Sequence, residues 1–299
     1  MKYSVIGTGA VGGFYGSKLA NAGFDVEFLL HSDYQFVKEN GLKVLSCDGD
    51  FCLKNPKVFS STAEMSKSDV VLVGLKSVNQ ELLYKILPPL LKENTLVILI
   101  QNGIGLEEDL QQKFPGLNIA AGLAFICSQK ILPGIIEHLF YGSINLGNFS
   151  CKDKVLFNNV LNDFVKAGIQ AQEVEYFQAR WKKAVWNMPF NGMTVVLKTT
   201  TDNLLKNPYT EKLIYDQMKE VIDAAQTLGV KGLDYSFADK MIEMTKAMIP
   251  YSPSMKLDYD FKRPMETYYL YTRPVAEALK AGFEMKKLAM LEAQLRFLG

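Results

Sequence analysis

Histidine is nearly absent: His31 and His138 are the only two in 299 residues. A metal site built on several imidazoles, or a Ser-His-Asp triad, is therefore poorly supplied. Cysteine is scarce as well. Cys47, Cys52, Cys127 and Cys151 are scattered and form no C-x-x-C pair. Four reduced thiols in a cytoplasmic protein are the expectation, with no disulfide framework and no metal ligands assigned. An excess of either charge is missing too. Lys and Arg number 33 against 32 Asp and Glu, a balance that offers no footprint for nucleic acid or an anionic membrane. Apolar runs are strand-sized and fall short of the roughly 20 residues of a membrane span. The first residues show no basic stretch leading into a long apolar core, so no signal peptide is expected.

What the chain does have is material for burial. Apolar residues make up 48%, enough at this length for two cores rather than one. The first stretch sets the theme. A short apolar strand, Tyr3 to Ile6, runs into Gly7-Thr8-Gly9-Ala10-Val11-Gly12, and a helical run follows at once. The spacing G-x-G-x-x-G means little alone, but between a strand and a helix it is the fingerprint of a dinucleotide-binding turn. Gly7 permits the turn, Gly9 lets a pyrophosphate reach the backbone, and Gly12 lets helix and strand pack closely. The helix N-terminus then faces the phosphates.

Asp25 to Leu30 reads as the second strand. It ends in Leu30-His31-Ser32, where an NAD-preferring site would place a carboxylate for the ribose hydroxyls. Glu27 lies mid-strand and Asp33 beyond the tip, which leans the cofactor toward NADP; His31 is equally readable as a surface loop residue. Leu42 to Leu45 and a single extended piece, Phe51 to Phe59, come next. Asp69 introduces V-V-L-V-G, a strand suited to a parallel sheet buried on both faces. Lys76 stands at its carboxyl end, where open α/β sheets bind ligands, and also where a solvated lysine would open the next helix, Asn79 to Leu91. Thr95 to Gln101 is another buried strand. Asn102 after it is either a polar group at a strand end or a turn asparagine with positive φ before Gly103. Asn118 to Ser128, Ile135 to Phe140 and Ser143 to Leu146 read as strands, with turns at Pro133-Gly134 and Tyr141-Gly142. From Glu175 onward strand patterns give way to long helices. The expected architecture is α/β: an N-terminal Rossmann doubly wound sheet over residues 1–173, then an all-helical domain over 174–299.

On the first of those helices, Lys183, Asn187 and Asn191 recur every four residues and Thr194 extends the row. That is one polar stripe, with Trp181, Val185, Trp186 and Phe190 off it. A solvated stripe would carry Glu and Lys. One amine and two carboxamides among bulky apolar residues favour a buried polar groove over an ordinary wet face.

At this point the chain resembles the ketopantoate reductases (2-dehydropantoate 2-reductases) of pantothenate and coenzyme A synthesis. The matching pieces are the glycine motif, Leu75-Lys76, Asn102-Gly103-Ile104-Gly105, Trp181-Lys182-Lys183 with Asn187 and Asn191, and Ser254-Met255 followed by Asp258 and Glu266. They run to about Tyr269. The resemblance implies NADP(H) as cofactor and a small 2-oxo acid as substrate. It also implies that Lys183 is the general acid, that Glu266 orients the reacting groups, and that Asn187, Asn191 and Ser254 bind substrate. Lys76 and Asn102 would lie by the nicotinamide. Three positions depart from the family pattern. His31 stands where an arginine usually grips the 2′-phosphate, Tyr271-Thr272 replaces an Asn-Gly pair, and the segment from Arg273 lacks the usual proline-bearing turn.

The chemistry agrees with the residues. Hydride delivered to a ketone makes an alkoxide, which needs a proton and a positive field. A lysine in an apolar cleft supplies both, with its pKa lowered by desolvation. Reduction of another small 2-oxo or 3-oxo acid, or a non-catalytic dinucleotide sensor, are the alternatives. A homodimer is left open.

Overall fold

The structure is a computed structural model covering residues 1–299. The chain forms two compact units, Met1–Gln101 with Leu106–Tyr176, and Asn102–Gly105 with Phe177–Gly299. No helix is long and apolar enough to cross a membrane.

Strands β1 (Lys2–Ile6), β2 (Asp25–Leu29), β3 (Leu42–Ser46), β4 (Phe51–Leu53), β5 (Lys57–Phe59), β6 (Val70–Val73), β7 (Leu96–Leu99), β8 (Asn118–Leu132), β9 (Ile135–Asn148) and β10 (Ala171–Val174) form the sheet of the first unit. Its backbone is a parallel run in the order β5-β2-β1-β6-β7-β8. From β1 the chain steps to β2, crosses to the far edge for β3 and β4, comes back to place β5 beside β2, and then enters β6 on the other side of β1. The switch point therefore lies between β1 and β6, where such sheets bind ligands. Every residue of β6 and β7 is buried, which explains their unbroken Val/Leu/Ile runs.

Helices of this unit are α1 (Ala10–Asn21), α2 (Tyr34–Asn40), α3 (Gln80–Ile86), α4 (Leu106–Lys113) and α5 (Lys154–Lys166). Close approach of α1 to the sheet depends on its glycines. A Cβ at Gly16 would stand 2.6 Å from Val5 and 2.8 Å from Phe28. Asp153 caps α5 by accepting from the Leu156 N–H at 2.9 Å.

Three expectations need correction here. Phe51 to Phe59 is two strands, not one. β4 pairs antiparallel with β3, while β5 pairs parallel with β2 near the opposite edge. The segment Asn79 to Leu91 is not one helix, because Pro88-Pro89 cannot continue it; α3 ends at Ile86 and a 3₁₀ turn, Pro88–Leu90, follows. Tyr141-Gly142 is not a turn. β9 runs through it, with Tyr141 opposite Ile126 and Ser143 opposite Phe125. Gly142, at φ 106°, is the extra residue of a bulge.

The second unit is helical: α6 (Tyr176–Val196), α7 (Thr201–Lys206), α8 (Pro208–Thr227), α9 (Tyr235–Lys246), α10 (Ser254–Asp260), α11 (Arg273–Lys280) and α12 (Lys286–Leu298). Trp181, Val185 and Phe190 of α6 share its core with Ile214 and Met218 of α8 and Leu288 of α12. The Glu220 carboxylate on α8 accepts from the N–H groups of Lys287 and Leu288 at 3.0 and 2.8 Å. It thereby satisfies donors that the start of α12 leaves open. Between Glu266 and α11 the chain forms a π-helical turn, Tyr268–Thr272.

Candidate active site

The glycine motif lies in the β1–α1 turn at the switch point. Gly7 has φ 84°, and a Cβ on it would stand 2.3 Å from the Leu75 nitrogen. At Gly12 a Cβ would meet the Gly7 carbonyl at 2.4 Å. At Gly9, by contrast, a Cβ meets nothing within 4 Å. Gly7 and Gly12 are thus demanded by the fold, whereas Gly9 borders open space. Thr8 is buried and donates to the Leu29 carbonyl at 2.9 Å, tying the turn to the end of β2. Ala10 and Val11 begin α1, whose first turn carries no acidic residue and no capping side chain. Its N–H groups are therefore suited to an anion.

His31 is exposed just beyond β2. Both nearby carboxylates are committed elsewhere. Glu27 accepts from the Ser66 N–H at 2.8 Å and pairs with Lys2 at 2.7 Å. Asp33 is buried, pairs with Lys130 at 2.8 Å and accepts from the Gly134 N–H at 3.1 Å. Neither is offered at the strand tip. Lys76 precedes a 3₁₀ turn, Ser77–Asn79, at the carboxyl end of β6.

In the second unit, Asn102 does not take a positive φ; Gly103 does, at 119°. The reason is close packing. A Cβ on Gly103 would stand 2.5 Å from that of Tyr269, and the Ile104 N–H donates to the Tyr269 carbonyl at 2.9 Å. This segment walls a pocket that Lys183 and Asn187 also line, together with Arg180 and Tyr269. Burial pulls the Lys183 pKa from its ordinary 10.5 down to about 7. Arg180 one turn away pushes in the same direction, while the buried Glu266 opposes them. Lys183 and Glu266 are therefore near enough to feel one another. An amine poised at neutral pH can hold a proton against a ketone oxygen and release it as charge develops.

The stripe of α6 is buried rather than wet: Asn187, Asn191 and Thr194 are at most 9% exposed. Asn191 differs from its neighbours in the row. Its Oδ1 accepts from the Met255 N–H at 3.1 Å and its Nδ2 donates to the Asn187 carbonyl at 2.9 Å. Ser254 is exposed and is the first residue of α10. Tyr271 is fully buried and donates to the Met188 carbonyl at 2.7 Å, while Thr272 donates to Glu292 at 2.6 Å. The pair that departs from the family pattern thus braces the π-helical turn against α6 and α12. Sequence reasoning missed Arg180 and Tyr269. Arg180 was visible as a charge one helical turn before Lys183; Tyr269 carries no pattern of its own.

A Rossmann sheet with a glycine turn, joined in one chain to a helical unit that buries a lysine beside a carboxylate, defines a class: the Rossmann-type oxidoreductases with a helical second domain. Two family models match the chain. One described as ketopantoate reductase PanE/ApbA covers residues 3–150, and its C-terminal counterpart covers 175–298. The chain belongs to the ketopantoate reductase family, and the match continues well past Tyr269. A 2-dehydropantoate 2-reductase from Nostoc sp. is 42% identical over 99% of this chain and 95% of its own. Among solved structures, a 2-dehydropantoate 2-reductase from Geobacter metallireducens superposes with a TM-score of 0.97 at 36% identity, covering 100% of both chains. One from Methylococcus capsulatus gives 0.90 at 32%, covering 100% of this chain and 96% of its own.

Proposed function

We propose that this chain is an NADPH-dependent reductase that converts 2-dehydropantoate to pantoate. The observation that carries the reading is the Lys183 amine, held in a pocket with Asn187 and Arg180, its pKa pulled down to about 7 by burial. The names of the Nostoc and Geobacter relatives support the substrate.

The residues fit a dinucleotide. The open space at Gly9 and the uncapped start of α1 suit a pyrophosphate. NADPH supplies the hydride when bound. Gly7, Thr8, Gly9, Ala10, Val11 and Gly12 hold its phosphates, His31 meets the 2′-phosphate, and Lys76 and Asn102 take the nicotinamide end. Lys183 donates its proton to the ketone oxygen as that oxygen gains charge. Glu266 orients the amine or the substrate hydroxyl. Asn187 hydrogen-bonds the substrate, and Ser254 takes its carboxylate. The absence of an offered carboxylate beyond β2 supports NADPH over NADH.

The test is NADPH oxidation with a panel of 2-oxo acids. Fastest turnover with 2-dehydropantoate is expected. Turnover with a different oxo acid alone would move the chain to another substrate, and no turnover with any would favour a sensor.

A further inference from the structure

Away from the glycine turn, the first unit gathers Cys47, Asp48 and His138, three residues of metal-ligating type in a chain that has only two histidines. His138 lies on β9 opposite Ser46, the last residue of β3. The turn after β3 folds back so that the Cys47 N–H donates to the His138 carbonyl at 3.0 Å. Cys47 Sγ stands 3.8 Å from His138 Nδ1, Asp48 Oδ2 stands 4.0 Å from the same nitrogen, and Cys47 Sγ is 3.9 Å from Asp48 Oδ1. A tetrahedral zinc holds ligand atoms of these kinds about 3.3–3.6 Å apart. Taking one ligand atom from each residue, all lie within 4.8 Å of one another, so the triangle must contract by up to about an ångström to seat the ion.

Ser46 Oγ accepts from the Asp48 N–H at 3.1 Å and is hydrogen-bonded to His138 Nδ1 at 2.8 Å. Nδ1 is thus the ring nitrogen on the side of the thiol and the carboxylate. The ring itself is fixed by burial and by Phe14, 4.5 Å away between centroids. Cys47 and Asp48 are exposed, so an ion reaches the triangle from solvent.

We propose that Cys47, Asp48 and His138 form a zinc site with a water as fourth ligand, clamping the turn after β3 onto β9. On binding, the Zn–S bond forms, the thiol proton leaves to solvent, and the Ser46 hydroxyl gives up Nδ1 to the metal.

The experiment is titration of the untagged, chelator-treated full chain with Zn²⁺ against a chromophoric chelator, and with Co²⁺ read by absorption. One zinc per chain is expected, with a thiolate-to-cobalt charge-transfer band. Cys47→Ala should remove that band and lower zinc affinity about tenfold or more. Asp48→Asn should weaken zinc binding while keeping the band. Cys52→Ala, on the neighbouring β4, should change neither. No binding in the micromolar range, binding that survives Cys47→Ala unchanged, or binding lost with Cys52→Ala would each overturn the site.

Discussion

The side-chain carbonyl of Asn191 accepts a hydrogen bond from the backbone N–H of Met255 at 3.1 Å, joining α6 to the first turn of α10. Its amide meanwhile donates to the Asn187 carbonyl. Asn191 is only 2% exposed, with its carboxamide engaged at both ends, so on the proposed reading it would act on substrate through Ser254, which precedes Met255. Asn191→Leu leaves the Met255 N–H without its partner and should cost about 1–3 kcal/mol of stability. The Michaelis constant for the oxo acid should rise, and the rise should vanish in a Ser254→Ala background, because one change acts through the other. Additive effects in the double-mutant cycle would instead mean that Asn191 touches substrate itself.

The pH dependence follows from Lys183, whose pKa is about 7 in the fold against an ordinary 10.5. Between those values the unfolded chain binds more protons at this site. The lysine therefore destabilises the fold most fully below about pH 7, and its contribution to stability improves as pH rises toward 10.5. Activity runs the other way. A general acid must be protonated, so kcat/KM for reduction should fall as pH climbs through about 7. Arg180→Met removes the cation beside the amine and leaves Glu266 facing it, which should move this alkaline limb to higher pH. A limb that stays in place would show that Lys183 does not set it.

Glycines of the β1–α1 turn should separate by function. Gly9→Val extends into open space, so the chain should stay folded while NADPH binding is lost. Gly12→Ala sets a Cβ against the Gly7 carbonyl and should lower the melting temperature even without cofactor. Calorimetry and fluorescence titration of both variants distinguish the two. Retained NADPH affinity in Gly9→Val would remove the phosphate cradle.

His31→Arg should lower the Michaelis constant for NADPH and leave that for NADH nearly unchanged. Glu27 and Asp33 are held by Ser66, Lys2, Lys130 and Gly134, so neither competes for the new guanidinium. Equal effects on both cofactors would show that position 31 does not meet the 2′-phosphate.

Much of this was legible in residue order. The glycine spacing between strand and helix, the buried runs of β6 and β7, and the four-residue row of α6 each follow from local periodicity. What escaped depends on contacts far apart in sequence. Phe51 to Phe59 bends at Lys54-Asn55, and its two halves pair with β3 and β2 at opposite edges of the sheet. The role of Asn191 needed Met255, sixty-four residues on. Tyr271 reads as an ordinary helical aromatic until its hydroxyl is found on the Met188 carbonyl. Arg180 reads as one of a basic cluster with Lys182 and Lys183, and its bearing on Lys183 appears only when both line one pocket.

The central claim is that Lys183 is the proton donor, and the most direct test is kcat of Lys183→Ala with 2-dehydropantoate, measured beside its affinity for NADPH. Loss of a positioned general acid should lower kcat by about 10²–10⁴, with NADPH affinity nearly unchanged. A near wild-type kcat, with only the Michaelis constant for the oxo acid raised, would make Lys183 an anchor for the substrate and contradict the mechanism.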